Sequence, residues 1–136
     1  PIFPILESLL ESKEATNNKI LLNEFTINFL EETYNDIQYN YHINQSVEFV
    51  SCLEGRKKGK EYFVERVYVP EISDQSFNHV SFKPCSEDTI ILLHSHPYRR
   101  CIASGQDIST LDNIKELNPE RMMIIMCEPN RFSVYN

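Results

Sequence analysis

The chain has 136 residues, 41% of them hydrophobic, and a formal net charge of −7. That length suits one compact domain able to bury roughly two-thirds of its unfolded surface, and the apolar content argues against disorder. An acidic chain with no basic stripe excludes nucleic-acid binding as an expectation, and no apolar run approaches the roughly 20 residues a membrane span needs.

Residues 1–18 are read as an N-terminal arm or helix. Ile5, Leu6, Leu9 and Leu10 have helical spacing, and Asn17-Asn18 breaks the segment. Pro1-Ile2-Phe3-Pro4 carries no signal-peptide pattern. Lys19 to Leu22 is a short strand. Asn23 is then predicted to cap a helix with Glu24 in its first turn. Phe25, Ile27, Phe29, Leu30 and Tyr34 follow at helical intervals, and the helix ends near Asp36 to Tyr39. Val47 to Leu53 alternates and continues to Gly55; it is predicted to pair with Glu61 to Val69 across a Gly55 to Lys60 turn. The basic cluster Arg56-Lys57-Lys58-Gly59-Lys60 is a solvated turn. Glu71 to Asp88 has no clear period and reads as a loop or irregular strand, the kind of segment that often carries binding. His79 lies in it as a solvent-facing side chain, not a ligand.

Ile90 to Leu93 is a buried strand running into His94. Tyr98 to Ala103 is the loop that follows, with Arg99 and Arg100 facing solvent. A helix is predicted from Gly105 to Glu116, with Ile108, Leu111 and Ile114 inward and Asn118-Pro119 as its stop. Arg121 to Cys127 is a second strong strand, Glu128 to Arg131 a turn, and Phe132 to Tyr135 a last strand. Met122, Met123 and Met126 read as core packing rather than a thioether metal site. Mixed helices and strands, mostly hairpin-connected, give an α+β or mixed α/β fold with one main sheet and helices against it.

Cys52, Cys85, Cys101 and Cys127 contain no Cys-x2-Cys pair, so they make no zinc ribbon. Reduced thiols in a cytoplasmic setting are expected, with disulfides reserved for a hyperthermophile. Cys101 is expected to be a packed wall rather than a nucleophile, because the nearby histidines are better employed on metal.

His94 and His96 project to one face at the end of their strand, since i and i+2 share a face. Ser95 points away, and Pro97 suits a strand terminus. Ser104-x-x-Asp107 ahead of Ile108 and Leu111 looks like a helix start, with Ser104 as N-cap. Two imidazoles and a carboxylate therefore meet where a strand ends and a helix begins. That is a three-ligand zinc set of the catalytic kind, leaving a fourth position for water. Ser-x-x-Asp alone is usually a capping device, and His-x-His alone is common. The combination is far more specific than its parts.

The string His94-x-His96-x7-Ser104-x2-Asp107 resembles the signature of the JAMM (MPN-plus) metalloproteases. That family also uses a glutamate seven residues ahead of a glycine, and Glu48 to Gly55 supplies the interval. Without the histidine motif, Glu48 would read as a surface carboxylate. The run from His94 to Asp107, with Pro97, Cys101 and Gly105 within it, is similar to the deubiquitinating subunits of the proteasome lid and the signalosome. The length is closer to small prokaryotic members, and the likeness covers about residues 20 to 136.

The resemblance implies a JAMM/MPN domain over 19–136, a curved mixed sheet flanked by helices in a cytidine-deaminase-like architecture. It implies zinc on His94, His96 and Asp107, Glu48 as proton shuttle, and Ser104 at the developing oxyanion. Glu54 is the rival carboxylate, but its register from Gly55 is wrong for that role. The activity implied is an isopeptidase cutting after the C-terminal Gly-Gly of ubiquitin or a ubiquitin-like modifier. The extended tail would pair with a sheet edge or the Glu71–Asp88 loop. Two alternatives stay open: a peptidase processing the C-terminus of a sulfur-carrier or ubiquitin-like protein, and a binding module in a larger complex. A zinc deaminase would need His-x-Glu and Cys-x-x-Cys ligands, and neither is present.

Overall fold

The structure, a computed structural model, describes residues 9–97 and 101–136. Along them run β1 (Leu9–Glu14), β2 (Lys19–Leu21), β3 (Thr26–Phe29), α1 (Glu31–Ile43), β4 (Val50–Lys58), β5 (Glu61–Tyr68), β6 (Ile72–Ser76), β7 (His79–Phe82), β8 (Thr89–Ser95), α2 (Gly105–Leu117), β9 (Met122–Glu128) and β10 (Arg131–Tyr135). Eight strands form one mixed sheet in the order β1-β10-β9-β8-β4-β5-β3-β2, and β6-β7 is a separate hairpin. The β3/β5 and β8/β9 pairs are parallel; every other pair in the sheet is antiparallel.

The middle of the sheet is covered on both sides. Every residue of β8 is buried, as is β9 as far as Cys127, which explains why both strands read as continuous apolar runs rather than alternations. On one face, Leu53, Ile91, Leu93, Ile124 and Phe132 pack with Ile37 of α1. On the other, Val50, Leu92, Met123, Ile125 and Tyr135 pack with Leu111 of α2, and Val80 and Phe82 of the hairpin lie against them. The sheet curves until its edge strands touch: β1 and β2 are consecutive in the chain and in contact, joined by a turn where Asn17 and Asn18 take φ of 53° and 59°. Helix α1 is tied across the β9-β10 turn, where the Tyr34 hydroxyl bonds Asn130 Oδ1 (2.8 Å) and the Tyr41 hydroxyl donates to Cys127 O (3.2 Å). Among the described residues no helix is long and apolar enough to cross a membrane.

Several expectations are corrected. The helix predicted from Asn23 is strand β3 up to Phe29; Ile27 and Phe29 are buried while Thr26 and Asn28 are half-buried, so the operative period is two. Helix α1 starts only at Glu31 and runs to Ile43, beyond the predicted end. Strand β4 does not turn at Gly55 but passes through it with a bulge, and the turn falls at Gly59, φ 62°. The Glu71–Asp88 loop contains the β6-β7 hairpin. Within the segment read as an arm or helix, Leu9 to Glu14 is an edge strand of the main sheet; Ile5 and Leu6 lie outside the described residues, as do Tyr98, Arg99 and Arg100.

The thiols are not reduced. Cys52–Cys85 and Cys101–Cys127 are disulfides, with Cα atoms 5.7 and 5.1 Å apart, inside the range a bridge requires. The first ties the segment after the hairpin to β4. The second ties the loop ahead of α2 to β9. Such bridges belong to oxidising compartments or hyperthermophile cells.

Candidate metal centre

His94 sits at the end of β8, between Val50 of β4 and Ile125 of β9. Alternation puts its ring on the α2 face, above Met123, whose Sδ is 3.4 Å from His94 Nε2. Ser95 points to the opposite face, where its Oγ accepts from Phe49 N–H at 3.0 Å. His96 follows one pleat on, its own N–H held by Met126 O at 3.1 Å. Helix α2 begins at a capping box: Asp107 N–H donates to Ser104 Oγ (3.1 Å) and Ser104 N–H donates to Asp107 Oδ2 (2.8 Å). The box fixes the Asp107 carboxylate on the side facing the two imidazoles.

His96 Nε2 is 3.0 Å from Asp107 Oδ2, and His94 Nε2 is 3.3 Å from Asp107 Oδ1. One ligand atom from each of the three residues lies within 4.8 Å of the others, so the group could hold a metal ion. A tetrahedral ion with bonds of about 2.0 to 2.1 Å places neighbouring donors roughly 3.3 Å apart, so the spacing fits. The protonation states fit too. Burial, helped by the neighbouring His96 and opposed by Asp107, pulls His94 down to about 4, leaving a neutral imidazole at neutral pH. Burial alone would raise Asp107, but the hydrogen bond from His96, the His94 ring and the Ser104 N–H together hold it at about 2. Neutral histidine and ionised aspartate are the forms a metal takes. His94 Nδ1, the ring nitrogen turned away from Asp107, is buried and finds no hydrogen-bond partner among the described residues.

Glu48 lies just ahead of β4 rather than within it. Its Oε1 is 3.7 Å from His96 Nε2, beside the cluster but not part of it. The β6-β7 hairpin holds it there: Glu48 N–H donates to Ser76 O (2.7 Å) and the Gln75 amide donates to Glu48 O (2.8 Å). Glu54 is elsewhere. Arg66 Nε donates to it at 2.6 Å and the Ser86 hydroxyl bonds its second oxygen, so it ties β4 to β5 and to the chain before β8. Of the two carboxylates, only Glu48 reaches the centre. His79 is not brought to it as a ligand; its Nε2 meets Ser81 Oγ at 2.8 Å.

Three cavities meet around the centre. A chamber of about 620 Å³ lies on the His96 side, walled by Phe77, Pro97, Cys101, Ile102 and Ala103. A narrow gap of about 30 Å³ lies on the His94 side, between β7 and α2. Glu48, Asn78, Ser104 and Gln106 border both. The gap shares the walls Phe82, Leu92 and Thr110 with a third cavity of about 400 Å³, also walled by Pro84, Ile114 and Leu117. A groove thus follows β7 to the centre. Among the described residues β7 pairs with β6 alone.

The five residues singled out by motif (Glu48, His94, His96, Ser104 and Asp107) are brought together. Sequence reasoning missed Met123 under His94, the Gln75 and Ser76 contacts to Glu48, and the chamber walls Phe77 and Ile102. None carries a spacing signal: Met123, Gln75, Ser76 and Phe77 come from segments distant in the chain, and Ile102, though local, is an exposed loop residue with no period. Cys101 does line the chamber as a wall, but bridged rather than as a free thiol. No family model matches the chain, and neither does any curated protein.

Proposed function

We propose that the protein is a zinc-dependent amide hydrolase of the JAMM (MPN-plus) type, an isopeptidase that removes ubiquitin or a ubiquitin-like protein after its C-terminal Gly-Gly. The observation that carries this reading is Glu48, a carboxylate 3.7 Å from His96 Nε2 but outside the His94, His96 and Asp107 set. A fourth ligand would have its carboxylate committed to the metal, whereas a carboxylate beside the set is placed to move protons. His94, His96 and Asp107 would hold the zinc, which when bound supplies an acidified water and a polarised carbonyl. Glu48 takes the proton of the attacking water and delivers it to the departing amine. Ser104 Oγ accepts from Asp107 N–H, so its own hydroxyl proton is available to the oxyanion that develops on the carbonyl. The hairpin and α2 keep the centre half-enclosed, and the exposed edge of β7 suits an extended tail added as a third strand.

The test is cleavage followed by mass spectrometry. Zinc-loaded protein is incubated with a lysine-linked ubiquitin-like conjugate and with a C-terminally extended precursor, beside Glu48→Gln. Scission after Gly-Gly that disappears in the variant is the expected result. Release of only a residue or short peptide would instead mean C-terminal processing. No scission by protein that retains its metal would mean a binding module.

A further inference from the structure

We infer that the chamber on the His96 side receives the residue on the amine side of the scissile bond, and that Phe77 and Ile102 make it select a bulky apolar residue there. This rests on the hydrolase reading above. The two cavities beside the centre differ in volume. The gap along β7 measures about 30 Å³ and the chamber about 620 Å³. A chain entering along β7 passes the centre with small residues and can present its first large side chain only beyond it.

The walls then decide the chemistry of that side chain. Phe77, at the tip of the β6-β7 hairpin, is 55% exposed, and Ile102, in the loop before α2, is 69% exposed. Both border the chamber, as do Pro97 and Ala103. Two large apolar side chains held this open beside a polar centre cost solvation unless something covers them. A cavity of this volume encloses far more than one small side chain. The loop bearing Ile102 is fixed at both ends, by the Cys101–Cys127 bridge and by Ala103 N–H donating to the Tyr135 hydroxyl at 2.8 Å. A pre-formed wall selects by shape without an ordering cost. Where the same site meets a linear precursor rather than a lysine-linked conjugate, the residue it favours after Gly-Gly is therefore large and apolar.

The experiment reads binding first, so that it does not depend on turnover. Phe-Ala amide, Ala-Ala amide and Asp-Ala amide, mimics of the released amine product, are titrated into zinc-loaded protein by calorimetry. Phe-Ala amide is expected to bind at least tenfold more tightly than Asp-Ala amide. Phe77→Ala and Ile102→Ala should each reduce that preference several-fold with unchanged thermal midpoints, and Phe77→Leu should restore most of it. Equal affinities for the three peptides, or a preference that survives both alanine variants, would overturn the assignment. Gly-Gly-Phe and Gly-Gly-Asp extended precursors are then compared by kcat/KM, and the same ratio is expected. A binding preference without scission of either precursor would overturn the assignment of the chamber to the amine side, and scission of a lysine-linked conjugate by the same protein would show that the hydrolase reading survives that failure.

Discussion

Ser104 and Asp107 are bound to each other twice, and the same Asp107 oxygen that accepts from Ser104 N–H lies 3.0 Å from His96 Nε2. The start of α2 and the metal centre are therefore one piece of hydrogen bonding. Ser104→Ala should cost about 1 kcal/mol of stability through the lost cap and, through the lost hydroxyl, about 100-fold in kcat. Ser104→Thr keeps both the cap and the hydroxyl. Denaturant midpoints and turnover of the two variants separate the roles: a Ser104→Ala protein that loses stability but not rate would leave Ser104 as a cap alone.

Glu48 and Glu54 are both buried carboxylates near β4 with opposite expected behaviour. Glu48→Gln should keep one metal ion per chain, measured by atomic emission, while turnover falls about 100-fold or more. Asp107→Asn should lose the metal, because an amide is a poorer ligand than an ionised carboxylate. Retained turnover in Glu48→Gln would remove the proton-shuttle role without touching the metal assignment.

Glu54 should instead govern acid stability. The Ser86 hydrogen bond lowers its pKa most; burial opposes this, and the Arg66 hydrogen bond and charge lower it further, leaving it below its ordinary 4.5. A carboxylate depressed on folding stabilises the fold at pH values above its unfolded pKa, and that contribution is lost as pH falls through the folded value. Glu54→Gln should therefore cost about 1 to 2 kcal/mol at pH 7. The deficit should shrink towards zero in urea melts at progressively lower pH. A deficit independent of pH would mean that Gln and Glu differ here only in packing.

What the sequence made legible follows the physics of each element. His94, His96, Ser104 and Asp107 lie within 14 consecutive residues, His94 to Asp107, so strand alternation and a capping box suffice to converge them. Strands β8 and β9 are long apolar runs whose type local pattern decides. Strand β3 failed because four residues with two buried positions satisfy a helical period as readily as a strand period; its state is set by parallel pairing with β5, 35 residues onward at Ile27–Tyr62. The disulfides failed for the same reason. Cys52 meets Cys85, and Cys101 meets Cys127, only after the sheet has brought segments 33 and 26 residues apart together. The chamber walls were invisible because exposed Phe77 and Ile102 follow no period at all.

The two bridges should differ in effect. Closing loops of these lengths contributes about 3 to 4 kcal/mol each in the chain-entropy account. Cys52→Ser/Cys85→Ser should lower the thermal midpoint with kcat and KM largely kept, since that bridge borders the groove's far end. Cys101→Ser/Cys127→Ser should lower the midpoint similarly and also raise KM, because Cys101 forms part of the chamber wall. Thiol titration of the unfolded, unreduced protein should find no free thiol; four free thiols would show that the bridges do not form.

Gly55 is where β4 and β5 come closest, and the reason it must be glycine is steric. A Cβ built there would lie 1.8 Å from Phe63 O, a backbone atom that no rotamer change can move. The β4 bulge between Glu54 and Gly55 brings the strand to this approach, so an added methyl has to push the two strands apart. Gly55→Ala should cost about 3 kcal/mol, at the upper end of overpacking substitutions. Gly59, in the turn at φ 62°, has open space around its Cβ position, so Gly59→Ala bears only backbone strain, about 1 kcal/mol. Gly105, at the start of α2, meets nothing within 4 Å at ordinary φ, and Gly105→Ala should be neutral or slightly stabilising by helix propensity. Urea denaturation of the three variants should rank them Gly55, Gly59, Gly105 from most to least damaging. A Gly55→Ala protein as stable as the parent would mean that β4 does not run that close to β5, and the strand register leading back to Glu48 would have to be redrawn.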